Sequence, residues 1–232
     1  MLNLILVEAA LETVPASIQH HPSVRRNAKR RRKKPIETLL DRSLHHAAMK
    51  GLPNSQKRGR PDIAHFCLLE ALGAPLNLEG GLRVWVHTVG GCAIEVAPEA
   101  KLPRTGPRFN SLVEQLFTEG RVPPGGGEPL MSLSRLGLQN LLEKIGASPI
   151  VALTSRGDQT SLEELCRRLA GAESPAVFIG AYPSGPMEDE TLSLADEAVS
   201  IYHEPLEAWV VTSRLIYEVE RASGSVSGTG KK

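Results

Sequence analysis

Apolar positions recur along this chain with two periods, and the switching between them predicts an α/β fold. Leu2 to Val7 reads as a strand. Pro149-Ile-Val-Ala-Leu-Thr154 and Ala176-Val-Phe-Ile179 are short, almost wholly apolar runs of the kind buried strands show, and Glu197-Ala-Val-Ser-Ile-Tyr202 is a further one. Leu82-Arg-Val-Trp-Val-His87 instead alternates, and Cys92 to Val96 can pair with it through a turn at Gly90-Gly91. Helical spacing predicts helices over Ile36 to Leu52, with Leu39, Leu40, Leu44, Ala47 and Ala48 inward, over Ile63 to Leu72 behind Pro61, and over Phe109 to Phe117. It predicts further helices over Leu136 to Ile145 with Gly146 at its close, and from Leu206 to Tyr217. Ser161-Leu-Glu-Glu matches a capping box opening a helix to Leu169. From Ile150 onward strands and helices alternate, which implies a mainly parallel sheet with helices on both faces. Pro22 to Lys34, Pro53 to Gly59 and Pro123 to Gly127 read as loops. Residues 1–222 form one domain on this reading, and the Gly/Ser-rich segment from Ser223 to Lys232 is expected to be disordered.

Composition excludes several classes. With 232 residues, 41% of them hydrophobic, the chain can bury one substantial core or two small ones. No apolar run nears the roughly 20 residues of a membrane span, and Met1 to Val7 lacks the basic start of a secretory leader. A soluble, cytoplasmic protein is expected, nucleolar in a eukaryote. Cys67, Cys92 and Cys166 are too widely spaced to signal a disulfide framework or a metal site, and are expected to be buried thiols.

The net charge of +1 hides an asymmetry: residues 1–110 carry 17 Lys and Arg against 9 Asp and Glu, a balance of +8, and residues 111–232 carry −7. A cationic half points to a bound polyanion, with RNA favoured over a membrane. Three segments concentrate that charge. Eight of the ten residues from Arg25 to Lys34 are basic. Lys57-Arg-Gly-Arg-Pro-Asp62 places two arginines at a helix N-terminus, with Asp62 able to hold one by a bidentate pair. Lys101-Leu-Pro-Arg-Thr-Gly-Pro-Arg108 sets three cations in a proline-stiffened loop. Each segment fits either an RNA contact or a solvated surface cluster.

Two apolar runs empty into loops of small residues, Gly180-Ala-Tyr-Pro-Ser-Gly185 and the stretch broken at Pro205. Glycines there would let main chain approach a flat, nucleotide-like ligand, or serve simply as turns. Gly125-Gly-Gly127 belongs to neither a phosphate-binding P-loop nor a dinucleotide fingerprint, and no hydrolase motif is present. His45 and His46 point about 100° apart on a helix and chelate poorly. Asp41 and His45 fit a helix-surface pair better than a catalytic dyad.

Leu39-Leu-Asp41, His45-His-Ala-Ala-Met49, Arg58-Gly-Arg-Pro-Asp-Ile63, Pro75-Leu-Asn77, Val86-His-Thr88 and Pro103-Arg-Thr105 resemble the nucleolar essential protein, or Emg, family of small-subunit rRNA pseudouridine N1-methyltransferases. Ile179-Gly-Ala, Gly185, Ser200-Ile and Pro205-Leu206 are similar to its cofactor loops, so the resemblance spans residue 1 to about 221. It implies a SPOUT-type α/β fold with a C-terminal trefoil knot, a homodimer, and S-adenosylmethionine held in the knot without a metal. Carried over, Thr154, Gly180, Gly185, Ile201, Tyr202, His203, Glu204, Pro205 and Leu206 would bind the cofactor. Arg60, Lys101, Arg104 and Arg108 would bind RNA, and Arg60 and Asp62 would form the catalytic pair, with Asp62 orienting Arg60 or acting as a base. Lys101 stands where the family often has arginine, and Tyr202-His203-Glu204 is a bulkier version of the cofactor loop. Small-subunit rRNA is the implied partner, along with ribosomal proteins or assembly factors. The competing readings are a non-catalytic assembly factor and a tRNA methyltransferase.

Overall fold

The apolar run at the start of the chain is β1 (Leu2–Ala9), and it lies in the middle of the sheet because both its faces are buried. Leu2, Leu4 and Leu6 enter one core, and Ile5 and Val7 enter the other. The computed structural model describes residues 1–224. The chain continues through α1 (Pro22–Arg31), α2 (Arg42–Met49), α3 (Pro61–Gly73), α4 (Pro75–Leu78), β2 (Leu82–Thr88), β3 (Ala93–Val96) and α5 (Gly106–Glu119). There follow β4 (Arg121–Val122), β5 (Met131–Ser134), α6 (Leu138–Ile145), β6 (Ile150–Gln159), α7 (Leu162–Ala170), β7 (Ala176–Gly180), α8 (Asp189–Leu192), β8 (Glu197–Ser200) and α9 (Ala208–Ser223).

The strands form one sheet in the order β4-β5-β3-β2-β1-β7-β6-β8. The five from β2 to β8 run parallel, and β3, β5 and β4 extend the sheet antiparallel. Helices cover both faces: residues of α3, α5, α7 and α9 build the larger core, and Leu138, Leu141 and Leu142 of α6 pack on the other side against Trp85 and Phe178. This is the expected mainly parallel α/β architecture. No helix among the described residues is long and apolar enough to cross a membrane.

The structure corrects several boundaries. Pro22 to Lys34 is mostly helix, not loop: Pro22 stands in its first turn, the His21 ring accepts from the Ser23 N–H, and only Val24, Asn27 and Ala28 turn inward. Three buried positions in a basic run are too few to register as a period, although Arg and Lys are good helix formers. The helix expected over Ile36 to Leu52 is broken. Pro35–Glu37 is a 3-10 turn, Leu39 bridges Thr13 in extended form, and Asp41 caps α2 by accepting from the Ser43 N–H at 2.8 Å. Leu39 and Leu40 therefore enter different cores. α5 starts three residues earlier than expected and takes Arg108 into its first turn. β4 and β5 lie in a stretch that had no assigned element, and α8 in what reads as a plain connector. Ser223 ends α9 and Gly224 caps it, so the expected disorder does not begin there; the rest of that expectation lies outside the described residues.

β6 runs past Thr154 to Gln159 after an irregularity, so that Leu153 and Asp158 both pair with Val199 of β8. At Gly157 a Cβ would stand 2.4 Å from the Val199 nitrogen, so only glycine permits this approach of two backbones. The charged, exposed residues of this extension hide it from an apolar pattern.

Candidate cofactor and RNA sites

A cavity of about 580 Å³ opens beside the irregular middle of β6 and beyond the C-terminal ends of β7 and β8, the side of the sheet where open parallel sheets place their ligands. Thr154, Gly180, Gly185, Ile201, Tyr202, Glu204, Pro205 and Leu206 all line it. His203 does not: it is exposed, with its ring 4.1 Å from that of Tyr202. Arg156, Tyr182, Met187, Glu207 and Val211 are among the further wall residues and were not expected there. Tyr182, lying between the two glycines, carried the one usable signal. A Cβ on Gly180 would come 2.7 Å from the Tyr182 ring, so the ring needs bare main chain there. Gly185 has φ +94°, in the region that favours glycine. Burial raises the Tyr182 phenol above its ordinary range, and Glu8 and Glu188 add to the shift, so it remains a hydrogen-bond donor. A wall that combines apolar side chains (Ile63, Leu153, Ile179, Leu206, Val211) with Thr154, Ser200 and carboxylates suits a ligand with a flat ring and a polar, cationic tail.

A second cavity, about 620 Å³, is walled by side chains of α1, α2, α3 and α5. Arg60 and Asp62 stand in it as a closed pair: Arg60 Nε donates to both carboxylate oxygens, at 2.8 and 3.1 Å, and its terminal nitrogen donates to Oδ2 at 2.7 Å. These hydrogen bonds raise the Arg60 pKa further. Ile63, one residue past the pair, lines the first cavity, so a single turn of α3 borders both. His65 donates from Nε2 to the Pro103 carbonyl at 2.7 Å and stacks on Phe109 at 4.1 Å, which fixes the segment carrying Lys101 and Arg104. Burial lowers the His65 pKa, against the pull of that carbonyl and of Asp62. Lys101, Arg104 and Arg108 are exposed and have no acidic partner among the described residues.

The positive half divides into two populations. Arg31 and Lys33 converge on the fully buried carboxylate of Glu114, which also accepts the Leu39 N–H at 2.9 Å. Lys57 and Arg58 turn inward to Glu8 and Glu12. These four cations are structural, so they fit neither of the two roles expected of their segments, an RNA contact or a solvated surface cluster. Arg25, Arg26, Lys29, Arg30 and Arg32 remain exposed along and just beyond α1. The Asp41–His45 pair is not a dyad: the Asp41 N–H donates to His45 Nδ1 at 3.1 Å, the ring is buried against Asn27, and the Asp41 carboxylate caps α2. Among the described residues no cluster of His, Cys, Asp or Glu could hold a metal ion. Cys67 and Cys166 are buried, which pushes both thiols up to about 12, whereas Cys92 is partly exposed, contrary to expectation.

Residues 4–220 match the model of a family described as EMG1/NEP1 methyltransferase. The chain belongs to that family. It is 44% identical over 219 residues to the ribosomal RNA small subunit methyltransferase Nep1 of Staphylothermus marinus, covering 94% of this chain and 95% of that one. It is 42% identical to the Nep1 of Thermococcus kodakarensis, over 97% of this chain and all of the relative. Among solved structures it is similar to Archaeoglobus fulgidus Nep1 bound to S-adenosylhomocysteine, with a TM-score of 0.85 and 38% identity over 95% of this chain and 98% of that one. The α/β architecture is thus that of the family, and the loops predicted from their glycines wall the cavity at the strand ends.

Proposed function

We propose that this protein transfers the methyl group of S-adenosylmethionine to N1 of a pseudouridine in small-subunit rRNA. One observation carries the reading: the turn of α3 that holds the Arg60–Asp62 pair in one cavity puts Ile63 in the wall of the other, so a nucleotide gripped beside Arg60 lies next to the strand-end pocket. Thr154, Gly180, Gly185, Ile201, Tyr202, Glu204, Pro205 and Leu206 hold the cofactor, which supplies an electrophilic methyl on sulfur. Pseudouridine is joined to its sugar through carbon, which leaves N1–H free. N1 takes the methyl as the carbon–sulfur bond breaks, and its proton leaves to water.

The protein's part is placement. Holding the two reactants in line supplies roughly 7–11 kcal/mol of the barrier. Arg60, Lys101, Arg104 and Arg108 grip the RNA, the exposed arginines of α1 extend that surface, and the target base is extruded into the pocket. Both Asp62 oxygens are engaged by Arg60, which supports a positioning role over a base role. The homodimer and the knot belong to the same reading, and sedimentation equilibrium tests the dimer. Single-turnover methylation of a pseudouridine oligonucleotide, with the uridine oligonucleotide as control, tests the whole. Transfer to the first alone is expected, and equal transfer to uridine refutes the N1 assignment.

A further inference from the structure

Lys57 opens the string that carries Arg60 and Asp62, yet its side chain points the other way and is 4% exposed. Its ammonium lies 2.6 Å from Glu8 Oε2, 2.8 Å from Glu188 Oε1 and 4.4 Å from the centre of the Tyr182 ring. The second oxygen of Glu8 accepts the Glu188 N–H at 2.8 Å. Glu8 sits at φ +50°, within an irregularity of the β1–β2 register, a strained conformation for a residue with a side chain. Glu188 and Tyr182 belong to the loop that walls the strand-end cavity. Two further bonds tie that loop to the same region: Ser184 Oγ donates to the Gln56 carbonyl at 3.2 Å, and the Ala10 N–H donates to the Ala181 carbonyl at 2.8 Å.

We infer that Lys57 is a positioning residue for the cofactor loop rather than an RNA contact, with Glu8 as its fixed anchor. The inference rests on the strand-end cavity being the S-adenosylmethionine site. Without the ammonium, the Glu8 and Glu188 carboxylates face each other uncompensated, Glu8 in a nearly buried position, and Tyr182 loses the cation over its ring. The loop from 180 to 188 then shifts or loosens at the wall the cofactor needs. No charge is removed from the RNA surface, because Lys57 contributes none there.

Lys57→Met, Glu188→Gln and the double variant Lys57→Met/Glu8→Gln test this, with S-adenosylhomocysteine titrated calorimetrically and an rRNA-derived oligonucleotide titrated over a range of salt. Lys57→Met is expected to weaken S-adenosylhomocysteine binding at least tenfold and to speed amide exchange over residues 180–188. Its RNA affinity should stay within twofold of the parent's, with an unchanged salt slope. Glu188→Gln, half exposed and therefore safe for folding, should weaken S-adenosylhomocysteine about threefold. If Lys57→Met fails to fold, the double variant, which leaves no lone carboxylate at Glu8, takes its place, and it should recover the fold without recovering cofactor affinity. Parent-like S-adenosylhomocysteine affinity in the folded Lys57 variant, or a salt slope that falls as it would for a lost phosphate contact, overturns the inference. Parent-like binding in Gly185→Val overturns the cavity assignment itself, and this inference with it.

Discussion

The two cavities are nearly equal in volume and are built by opposite means. The strand-end cavity is shaped by main chain, with the irregular part of β6, the turns after β7 and β8, a glycine at 180 where a Cβ would meet the Tyr182 ring, and another at 185 held at positive φ. The helical cavity is shaped by long side chains reaching in from four helices. A flat ligand recognised through backbone needs bare peptide and little charge. A polyanion needs cations held at fixed spacing, and the chain meets that need by using some of its own acids as anchors. Glu114 restrains Arg31 and Lys33 at the end of α1, while the neighbouring arginines stay exposed. Net charge alone does not distinguish a cation that binds from one that braces.

The sharpest separation of the two sides should come from Gly185→Val. With φ +94° at that position, a β-branched residue is strained, and cofactor affinity should fall more than 100-fold, about 2.7 kcal/mol, with RNA affinity kept within twofold. Calorimetry on a variant whose circular dichroism matches the parent checks it. The converse break is Glu114→Ala. Losing a buried carboxylate that takes two cations and a main-chain N–H should cost about 2–4 kcal/mol, discounted because Arg31 and Lys33 are partly solvated. Chemical denaturation measures it, and the surviving folded protein should bind S-adenosylhomocysteine normally. A smaller effect is expected from Arg60→Ala, Arg104→Ala and Arg108→Ala. Each should weaken RNA binding several-fold and lower the log–log salt slope by about 0.7, whereas Arg58→Ala should leave that slope alone because Arg58 is committed to Glu12.

Asp62→Asn should act more mildly, with RNA affinity and turnover falling together two- to fivefold, and Asp62→Ala added to Arg60→Ala should cost little more, since the two act as one unit. Intact RNA binding with collapsed turnover in Asp62→Asn would instead make it a base. The smallest effect concerns pH. Burial lowers the pKa of His45 and His65, both on the helical side, below the ordinary 6.5, so the unfolded chain takes up protons that the folded one refuses. Their contribution is complete above pH 6.5 and is lost as pH falls from there towards the folded values. The melting temperature should drop over that window, and His65→Gln, which can still donate to Pro103, should remove part of the dependence. His87, also depressed by burial, retains a share.

Legibility followed the same division. β1, β2, β7, α3, α6 and α7 were readable because their apolar periods are dense, and the cofactor loops because glycines follow strands. α1 and the break at Asp41 were not, since so few of their positions face inward. The partition of the basic residues was invisible because each deciding partner is remote: Glu114 lies 83 residues from Arg31, and Glu8 lies 49 from Lys57. An acid at the end of an apolar strand, as Glu8 is, was the available hint. His203 stands outside the cavity wall for a local reason, because a motif fixes a loop's place and not the side to which each residue turns.

The place of β1 between β2 and β7 has a consequence for biosynthesis. Asn3 to Val7 pair with Ala176 to Gly180, so one edge of this fully buried strand stays open until three quarters of the chain has been made. At about 5–20 residues per second, that interval is on the order of ten to thirty seconds. The pairing of Asn3 with Ala176 also closes a very long loop, which places this protein among slow folders. During that interval the nascent N-terminal half carries a sheet edge and a set of unneutralised arginines side by side, beside the ribosome that is producing it.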